Sequence, residues 1–377
     1  MAGKRNARIT PVQEEYLGLL RSALWGTPAT IPQDIDGVRL IAKMQRTRPM
    51  IISALYSAGW KSDSQQPMEL VRKTAATHVQ INRCIAKVVT ALREGGVEPV
   101  LLKGQGVAQN YLQPLLRECG DIDLYVGQEQ FEKTCEIING LATEKDLSEA
   151  KTNDLHYELP LGKMYLEIHR VSDKMHYDKA DEIYQALADK GLSKDLVTIN
   201  LEGVPVRTPS NDFNAFYLFC HMQRHFLLGG IGMRQMCDWT RFLHTHAGKI
   251  DPTFFESTLD ALKLLTVWNM FASIAVDYLG LPTEEMPLYQ PGMKDDAGTV
   301  LYYIFREGNF GQGHSYMLDE NRPAGYLASK AYSIKLALER YRMLFRMYPG
   351  EKHYIWKRIL RFYGVGIGQI FKDIFHK

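Results

Sequence analysis

The hydrophobic pattern of the chain changes its period between residues 97 and 207, and this change restricts the folds open to it. Before this segment, Leu70–Leu92 repeats apolar residues every two to four positions, which predicts an amphipathic helix. Within it, short runs such as Glu98–Leu102 and Asp121–Val126 predict strands. From Ser210 almost to the C-terminus the helical period returns. The sequence therefore predicts an α+β protein in which a small mixed sheet is flanked by N-terminal and C-terminal helical regions.

The same pattern divides the 377 residues into four segments. We expect an N-terminal helical region at 1–96, an α/β core at 97–207, a helical substrate-binding region at 208–329 and basic, aromatic C-terminal helices at 330–377. In the core, Asp154–Leu159 and Met164–His169 predict a hairpin closed by Pro160–Gly162. Further predicted elements are helices at Val38–Tyr56, with a break or kink at Pro49, at Val107–Leu112 and at Phe254–Leu279, and two strands within Leu196–Val206 around Glu202-Gly203.

Charge is distributed unevenly along the chain. The whole sequence has 45 basic and 43 acidic residues, a formal charge of +2, which excludes a polycation or an acidic disordered tail. From Lys330 onward, however, 11 basic and three acidic residues give a net charge of +8, and aromatic residues lie among them. Three interpretations of this segment remain open. They are helices packed on the body with solvated charges, peripheral contact with an anionic membrane, and a nucleic-acid contact.

The cysteines and the apolar stretches indicate the cellular compartment of the protein. Five scattered cysteines without a C-x-x-C pair are typical of a reducing environment. The basic N-terminus is not followed by an apolar core, so no signal peptide is visible. The longest apolar stretch, Leu264–Val276, is too short to cross a bilayer. We therefore expect a soluble, cytoplasmic protein without a transmembrane segment.

Asp121 and Asp123 are separated by one residue in a predicted strand, so their carboxylates project from the same face. Two such carboxylates repel each other unless a cation lies between them, and Mg²⁺ favours oxygen ligands. A solvated strand face is the alternative for an isolated D-x-D. The neighbours favour a metal site, because Glu167 adds a carboxylate on another predicted strand and Lys103-Gly104 forms a turn suited to a phosphate. This combination is typical of two-metal phosphoryl or nucleotidyl transfer.

The run LLKGQGVAQNYLQPLLRECGDIDLYV, followed by YLEIHR, resembles the nucleotidyltransferase superfamily that includes polymerase beta. It is most similar to a bacterial branch with Leu-Lys-Gly at the turn in place of Gly-Ser, an Arg ahead of Asp-Ile-Asp, and a Glu-x-His third acidic strand. Arg117 and His169 occupy the Arg and His positions here. The later stretch HMQRHFLLGGIGMRQMCDWTRFL also resembles this branch, which has paired histidines, a glycine turn, an Arg and an Asp-Trp on helices. The resemblance covers residues 97–245 closely and the flanking helices loosely.

The resemblance implies a role for each matching residue. Asp121 and Asp123 would hold two Mg²⁺ ions, and Glu167 would complete the second metal position and help to deprotonate the acceptor hydroxyl. Lys103 and Gly104 would contact the triphosphate of the NTP substrate, where the usual serine hydroxyl is missing. The remaining candidates for nucleotide binding are Arg117, His169, His221, His225, Arg234 and Asp238.

His221 and His225 lie four positions apart and therefore on one face of a predicted helix. The H-E-x-x-H pattern of zinc proteases is not met, because position 222 is Met, so a core or pocket-lining role is favoured over zinc. Arg224, Arg234 and Asp238 flank the histidines and could form a wall that receives the nucleotide or the acceptor. A purely structural Arg234–Asp238 pair at i,i+4 is the alternative.

Together these observations predict a Mg²⁺-dependent nucleotidyltransferase that moves an NMP from an NTP to a hydroxyl or phosphate acceptor. The acceptor could be a small molecule, a sugar precursor, a protein or RNA. One alternative is a non-catalytic protein with a degenerate nucleotidyltransferase fold that only binds a nucleotide or a partner. Another is a helical scaffold in which the D-x-D pattern is incidental.

Overall fold

The fold combines one mixed sheet with helices that precede and follow it. The computed structural model describes residues 9–309 and 322–360. The predictions for the C-terminal segment beyond residue 360 lie outside the described residues. Within the described residues, the order of helices and strands confirms the α+β class and the flanking helical regions expected from the sequence.

The sheet has seven strands in the order β3-β4-β5-β2-β1-β7-β6. The pairs β2–β5 and β1–β7 are parallel, and the remaining neighbours are antiparallel. The central strand β2 therefore lies between β5 and β1. The strands are β1 (Val100–Leu101), β2 (Ile122–Tyr125), β3 (Lys151–Thr152), β4 (His156–Leu161), β5 (Met164–His169), β6 (Val197–Leu201) and β7 (Val204–Thr208).

Two hairpins supply four of these strands. In the β4–β5 hairpin the register runs from His156 opposite His169 to Leu161 opposite Met164. Pro160 was predicted in the turn but belongs to β4, and Gly162, with φ of +66°, provides the left-handed turn residue. The β6–β7 hairpin turns at Glu202-Gly203, where the sequence predicts it.

Four helices precede the sheet in the part of the chain that the structure describes. The predicted Val38–Tyr56 helix is two helices, because Pro49 lies in the first turn of the second one and Arg46 before it has φ of +56°. The break expected at Pro49 is thus a complete interruption. The helices are α1 (Pro11–Trp25), α2 (Ile35–Met44), α3 (Arg48–Ser57) and α4 (Gln66–Glu94).

Four more helices alternate with the strands. The prediction of a helix at Val107–Leu112 is wrong, since α5 ends at Ala108. Both the backbone N–H and the side-chain amide of Asn110 donate to the carbonyl of Val107 at 3.0 Å, and these local bonds replace the helical ladder. The helices are α5 (Gln105–Ala108), α6 (Gly127–Asn139), α7 (Glu144–Ser148) and α8 (Asp178–Gly191).

In the described residues after the sheet, the regular structure is helical. A single helix at Phe254–Leu279 is a wrong prediction, because Lys263 adopts φ of +56° and separates two helices, and a π-helical turn, Ile274–Tyr278, follows the second. The helices are α9 (Asn211–Leu228), α10 (Met233–His246), α11 (Pro252–Ala261), α12 (Leu265–Ser273), α13 (Lys294–Glu307), α14 (Tyr326–Met347) and α15 (352–360).

Two apolar clusters form the core. The larger one combines residues of α1, α2 and α3 with residues of α8 to α15, and in it the rings of Tyr16 and Phe305 lie 5.8 Å apart, edge to face. The smaller one lies between the sheet and helices α4 and α6. Because Ile122 and Leu124 belong to the smaller cluster, the alternate residues of β2 point to the opposite face of the sheet. The four-segment division stays a prediction.

The described part of the basic C-terminal segment packs on the body. The hydroxyl of Tyr348 donates to the carbonyl of Gln223 at 3.2 Å, and the Arg340 guanidinium donates to the carbonyl of Phe226 at 2.8 Å. Ile355 on α15 is 1% exposed. Among the described helices, none combines the length and the apolar character that crossing a membrane requires.

Candidate active site

The sheet face opposite α4 and α6 carries the three predicted metal-binding carboxylates. Asp123 is the register partner of Glu167 on the parallel neighbour β5, and it is only 4% exposed. Asp121 lies two residues earlier, just before β2, and is exposed to solvent. The fold therefore brings together three acids that the sequence places up to 46 residues apart.

The glycine turn after β1 lies against the beginning of β2. The N–H of Leu102 donates to the carbonyl of Asp123 at 3.0 Å, which extends the pairing of the two strands. Gly104 has φ of +55° and ψ of −113°, and a Cβ atom there would lie 3.4 Å from the carbonyl oxygen of Asp121. Glycine is required by this backbone conformation, and the turn opens directly onto the carboxylates.

Lys103 and His169 hold the carboxylate of Asp123. The Nζ of Lys103 lies 3.0 Å from Oδ1 of Asp123, and Nε2 of His169 lies 3.1 Å from the same oxygen. Nε2 of His169 is also 3.3 Å from Oε2 of Glu167. Burial alone would raise the pKa of Asp123, but Lys103 and His169 outweigh it and hold that pKa well below its usual range. Asp123 is therefore ionised at neutral pH.

The same contacts favour the charged forms of both partners. Burial would lower the pKa of Lys103, but Asp123 and Glu167 outweigh it and raise that pKa. Burial would likewise lower the pKa of His169, and its hydrogen bonds to Asp123 and Glu167 raise it instead. The buried part of the site is thus a compact network of two carboxylates, one ammonium group and one imidazole.

Asp121 and Arg234 lie at the mouth of this network. Partial burial, together with the negative charges of Asp123 and Glu167, raises the pKa of Asp121. Arg234, on α10, is among the cations that act on Asp121, and its Nη1 donates to the carbonyl of Glu118 at 2.8 Å. Among the described residues, the buried Nε of Arg234 has no hydrogen-bond partner. Arg234 therefore retains a donor that a ligand could use.

Arg117 and Asp238 bind each other instead of lining an open site. Nε and Nη2 of Arg117 donate to the two carboxylate oxygens of Asp238 at 2.9 and 2.6 Å, and the Tyr111 hydroxyl donates to Asp238 at 2.7 Å. Arg117 is 4% and Asp238 5% exposed. The predicted alternative of an Arg234–Asp238 pair is wrong, because the closer Arg117 takes both oxygens. This pair fastens the segment before β2 to α10.

The histidines of α9 face the same network. Burial, followed by the charge of Lys103, lowers the pKa of His221 well below its usual value, and burial lowers that of His225 to about 2. Their rings lie 4.4 Å apart. Beside them, Nη1 of Arg224 lies 2.6 Å from Oδ1 of Asp173, which is 2% exposed. Both histidines are neutral at neutral pH, so they supply no positive charge to the site.

The sequence interpretation missed Asp173, His156 and Glu158. Asp173 lies in the irregular segment between β5 and α8, where no periodic pattern distinguishes it. His156 and Glu158 on β4 do have a signal, because the His-x-Glu of β4 mirrors the Glu-x-His of β5 across the hairpin. His156, Glu167 and His169 each offer one ligand atom, and these atoms lie within 4.8 Å of one another.

The arrangement suits a reaction in which divalent cations and phosphate groups are bound side by side. Carboxylates on two parallel strands provide oxygen ligands for divalent cations, and the ammonium group of Lys103 beside them is a donor suited to phosphate oxygens.

Residues 32–280 match the family described as "Uncharacterised nucleotidyltransferase". No curated protein and no solved structure matches the chain. The matched residues include the whole sheet, the carboxylates and the helices α9 and α10.

Proposed function

Since the chain belongs to this nucleotidyltransferase family, we propose that it transfers an NMP from an NTP to a hydroxyl or phosphate acceptor, using Mg²⁺. The observation that carries the proposal is the register of β2 and β5, which sets Asp123 beside Glu167 next to the Lys103-Gly104 turn. A scaffold with an incidental D-x-D pattern would have no reason to bury Asp123 on a sheet face beside Lys103 and His169.

The donor set fits Mg²⁺. Asp121, Asp123 and Glu167 offer carboxylate oxygens, and the depressed pKa of Asp123 keeps that ligand ionised. When bound, Mg²⁺ would neutralise charge on the phosphates and orient them for in-line displacement. In the free protein, Lys103 and His169 already neutralise Asp123, so metal and NTP together would have to draw this carboxylate away from one of them.

The residues of the turn and of α10 are proposed to bind the triphosphate. Lys103, whose Nζ lies 3.0 Å from Oδ1 of Asp123, would supply a positive charge to the phosphate oxygens. Arg234 has its spare Nε donor nearby. Neutral His221 and His225 would line the pocket for the nucleoside or the acceptor. Arg117 and Asp238 are positioning residues in this scheme, since their charges are used on each other.

In the proposed reaction an acceptor oxygen attacks the α-phosphorus, and the bond from that phosphorus to the bridging oxygen of the β-phosphate breaks. Pyrophosphate leaves, and the acceptor proton passes to a base. Glu167 is our candidate for that base, because it lies at the exposed side of the network with 22% of its side chain accessible. The acceptor is a small molecule, a sugar precursor, a protein or RNA.

The test is transfer of label from α-phosphate-labelled NTPs to lysate components and to the protein itself. We expect the Asp121→Asn/Asp123→Asn variant to lose transfer by at least about 10³-fold, because both metal positions lose a charge. The control is Asp63→Asn/Asp154→Asn, which removes the same charge from exposed positions and should transfer normally. Undiminished labelling by the first variant, with its folding verified by thermal melting, would reject the proposal.

The non-catalytic alternative predicts a different outcome of the same experiment. A degenerate fold would bind an NTP with Mg²⁺, seen as a rise in melting temperature, but would release no pyrophosphate with any acceptor. Wild-type protein that shows this stabilisation without any release would favour the alternative. A scaffold with an incidental D-x-D pattern would show neither effect.

We also propose a location in the cytoplasm with a peripheral membrane contact. All five cysteines are free thiols, which suits a reducing compartment. For the membrane, we define the C-terminal face as the exposed apolar residues of α14 and α15 with the cations between them. The apolar members are Leu327, Ile334, Leu338, Trp356 and Leu360, and the cations are Lys335, Arg342, Lys352 and Lys357. Aliphatic side chains beside lysines suit an anionic lipid surface better than a stack of bases.

A further inference from the structure

The β4–β5 hairpin carries a second group of possible ligands that the transfer reaction does not use in full. Antiparallel pairing sets His156 opposite His169 and Glu158 opposite Glu167. Residues two apart on a strand share a face, so all four side chains lie on one face of the hairpin. This follows from the mirrored order of His-x-Glu on β4 and Glu-x-His on β5.

Three of these four side chains are close enough to bind one ion. His156, Glu167 and His169 each offer a ligand atom, and the three atoms lie within 4.8 Å of one another. The rings of His156 and His169 have their centroids 5.0 Å apart. His169 is 5% exposed, and among the described residues its Nδ1 is buried without a hydrogen-bond partner. A buried ring nitrogen in this state costs free energy that a ligand would recover.

We propose that His156, Glu167 and His169 bind a divalent transition-metal ion, of the class of Zn²⁺ or Co²⁺. Two imidazoles and one carboxylate are the ligands found in zinc sites that keep an open position, whereas Mg²⁺ prefers oxygen ligands alone. Imidazole nitrogens favour the later first-row metals. Of the three proposed Mg²⁺ ligands, only Glu167 belongs to this site. The imidazole nitrogens of the two histidines distinguish it from the all-carboxylate Mg²⁺ site.

Carboxylates around the two rings support the assignment. Nε2 of His156 lies 2.8 Å from Oε1 of Glu158 and 3.0 Å from the side-chain nitrogen of Asn153. Nε2 of His169 lies 3.1 Å from Oδ1 of Asp123. A ligating histidine commonly uses one nitrogen for the metal and the other for a carboxylate, which fixes the ring and increases its basicity. Glu158 is thus a positioning residue for His156.

The test measures metal binding without NTP, on tag-free protein that has been stripped of metal. Titration with Co²⁺ should give visible d–d absorption that saturates near one equivalent, and Zn²⁺ should abolish the absorption by displacement. His156→Ala should weaken Co²⁺ binding by at least about 10-fold. His156→Gln serves as a second variant if the alanine variant fails to fold.

Two controls separate this site from its surroundings. His353→Ala removes an exposed histidine of α15 and should bind Co²⁺ as the wild type does. Asp121→Asn alters the acidic site but leaves the three proposed ligands, so its Co²⁺ affinity should change by less than about threefold. A wild type without d–d absorption, or a folded His156 variant with undiminished affinity, would overturn the proposal.

The proposal goes beyond nucleotidyl transfer and does not depend on it. Protein that binds Co²⁺ through His156 yet never transfers an NMP would keep this site and reject the transferase. Protein that transfers an NMP yet shows no Co²⁺ absorption would keep the transferase and reject this metal site.

Discussion

At the scale of single residues, the candidate site is organised by the carboxylate of Asp123. One of its oxygens is shared by Lys103 at 3.0 Å and His169 at 3.1 Å. A buried carboxylate with two such partners is ionised and fixed in orientation before any ligand arrives. Lys103 therefore has two proposed partners, the carboxylate in the free protein and a phosphate in the bound one.

Glu351 gives a pH prediction, because burial raises its pKa from the ordinary value of 4.5 to about 7. Oε2 of Glu351 has no partner among the described residues, and the neighbouring titratable groups are Tyr177 and Tyr348. The folded state therefore holds the proton more tightly than the unfolded state. The stabilisation that the folded state gains from protonated Glu351 is fully present below about pH 4.5 and is lost as the pH rises through about 7.

Glu351→Gln should therefore raise the free energy of unfolding at pH 8, by about 3 kcal/mol at most, and have little effect near pH 4.5. Urea unfolding of both proteins at several pH values measures this difference. Glu339→Gln is the control, because Glu339 is an exposed glutamate of α14, and its effect should not vary with pH. A pH-independent effect of Glu351→Gln would contradict the explanation.

At the scale of elements, the Arg117–Asp238 pair joins the segment before β2 to α10. Asp238→Ala leaves the Arg117 guanidinium buried and unpaired, so we expect a loss of about 3–5 kcal/mol in unfolding free energy. Asp36→Ala, which breaks the exposed Arg39–Asp36 pair with its 3.1 Å contact, should cost less than about 1 kcal/mol.

A double-mutant cycle tests the pairing itself. Arg117→Met with Asp238→Leu should destabilise the protein by less than the sum of the two single changes, because neither charge is then left alone. Strict additivity of the two effects would show that the contact contributes nothing.

Secondary structure that depends on the local residue pattern could be predicted from the sequence. Contacts that depend on residues far apart in the sequence could not. The hairpin of β4 and β5 follows from alternation and a glycine, and α4 follows from its apolar period. The sequence spacing offers Arg234, four residues away, as a partner of Asp238, yet Asp238 binds Arg117, which is 121 residues distant. No sequence spacing encodes that choice, because it depends on how α10 docks.

The candidate site shows the same division. Asp121, Asp123 and Glu167 were found from strand pattern and charge, and the structure gathers them. Asp173 was missed, because its pairing with Arg224 exists only once α9 packs against the segment after β5. His156 was missed although its mirrored motif could have been read from the hairpin register.

At the scale of the whole molecule, the C-terminal face supports a binding prediction. Leu327 is 79%, Leu360 67% and Trp356 55% exposed, and the segment from Lys330 onward carries a net charge of +8. We expect the protein to sediment with vesicles containing phosphatidylserine but not with pure phosphatidylcholine vesicles, and to dissociate at high salt.

Matched variants identify the surface responsible. Leu338→Ser/Trp356→Ser should reduce sedimentation, whereas Leu115→Ser/Leu147→Ser, which alters exposed leucines outside the C-terminal face, should not. Equal sedimentation of both variants would contradict the membrane proposal. Binding to single-stranded oligonucleotides in place of vesicles would favour the nucleic-acid interpretation.

The shared core of α1 with the later helices has a consequence for biosynthesis. The Trp25 indole donates to the carbonyl of Leu279 at 2.5 Å and the Arg21 guanidinium to that of Tyr278 at 2.9 Å, across 254 and 257 positions of the chain. At ribosomal speeds of about 5–20 residues per second, α1 emerges many seconds before these carbonyls exist. Contacts between residues so far apart in the sequence slow folding. The contacts of α1 with the later helices are thus among the last to form, and the part of α1 that faces them stays exposed until then, whereas the part that faces α2 and α3 is covered as soon as those helices fold.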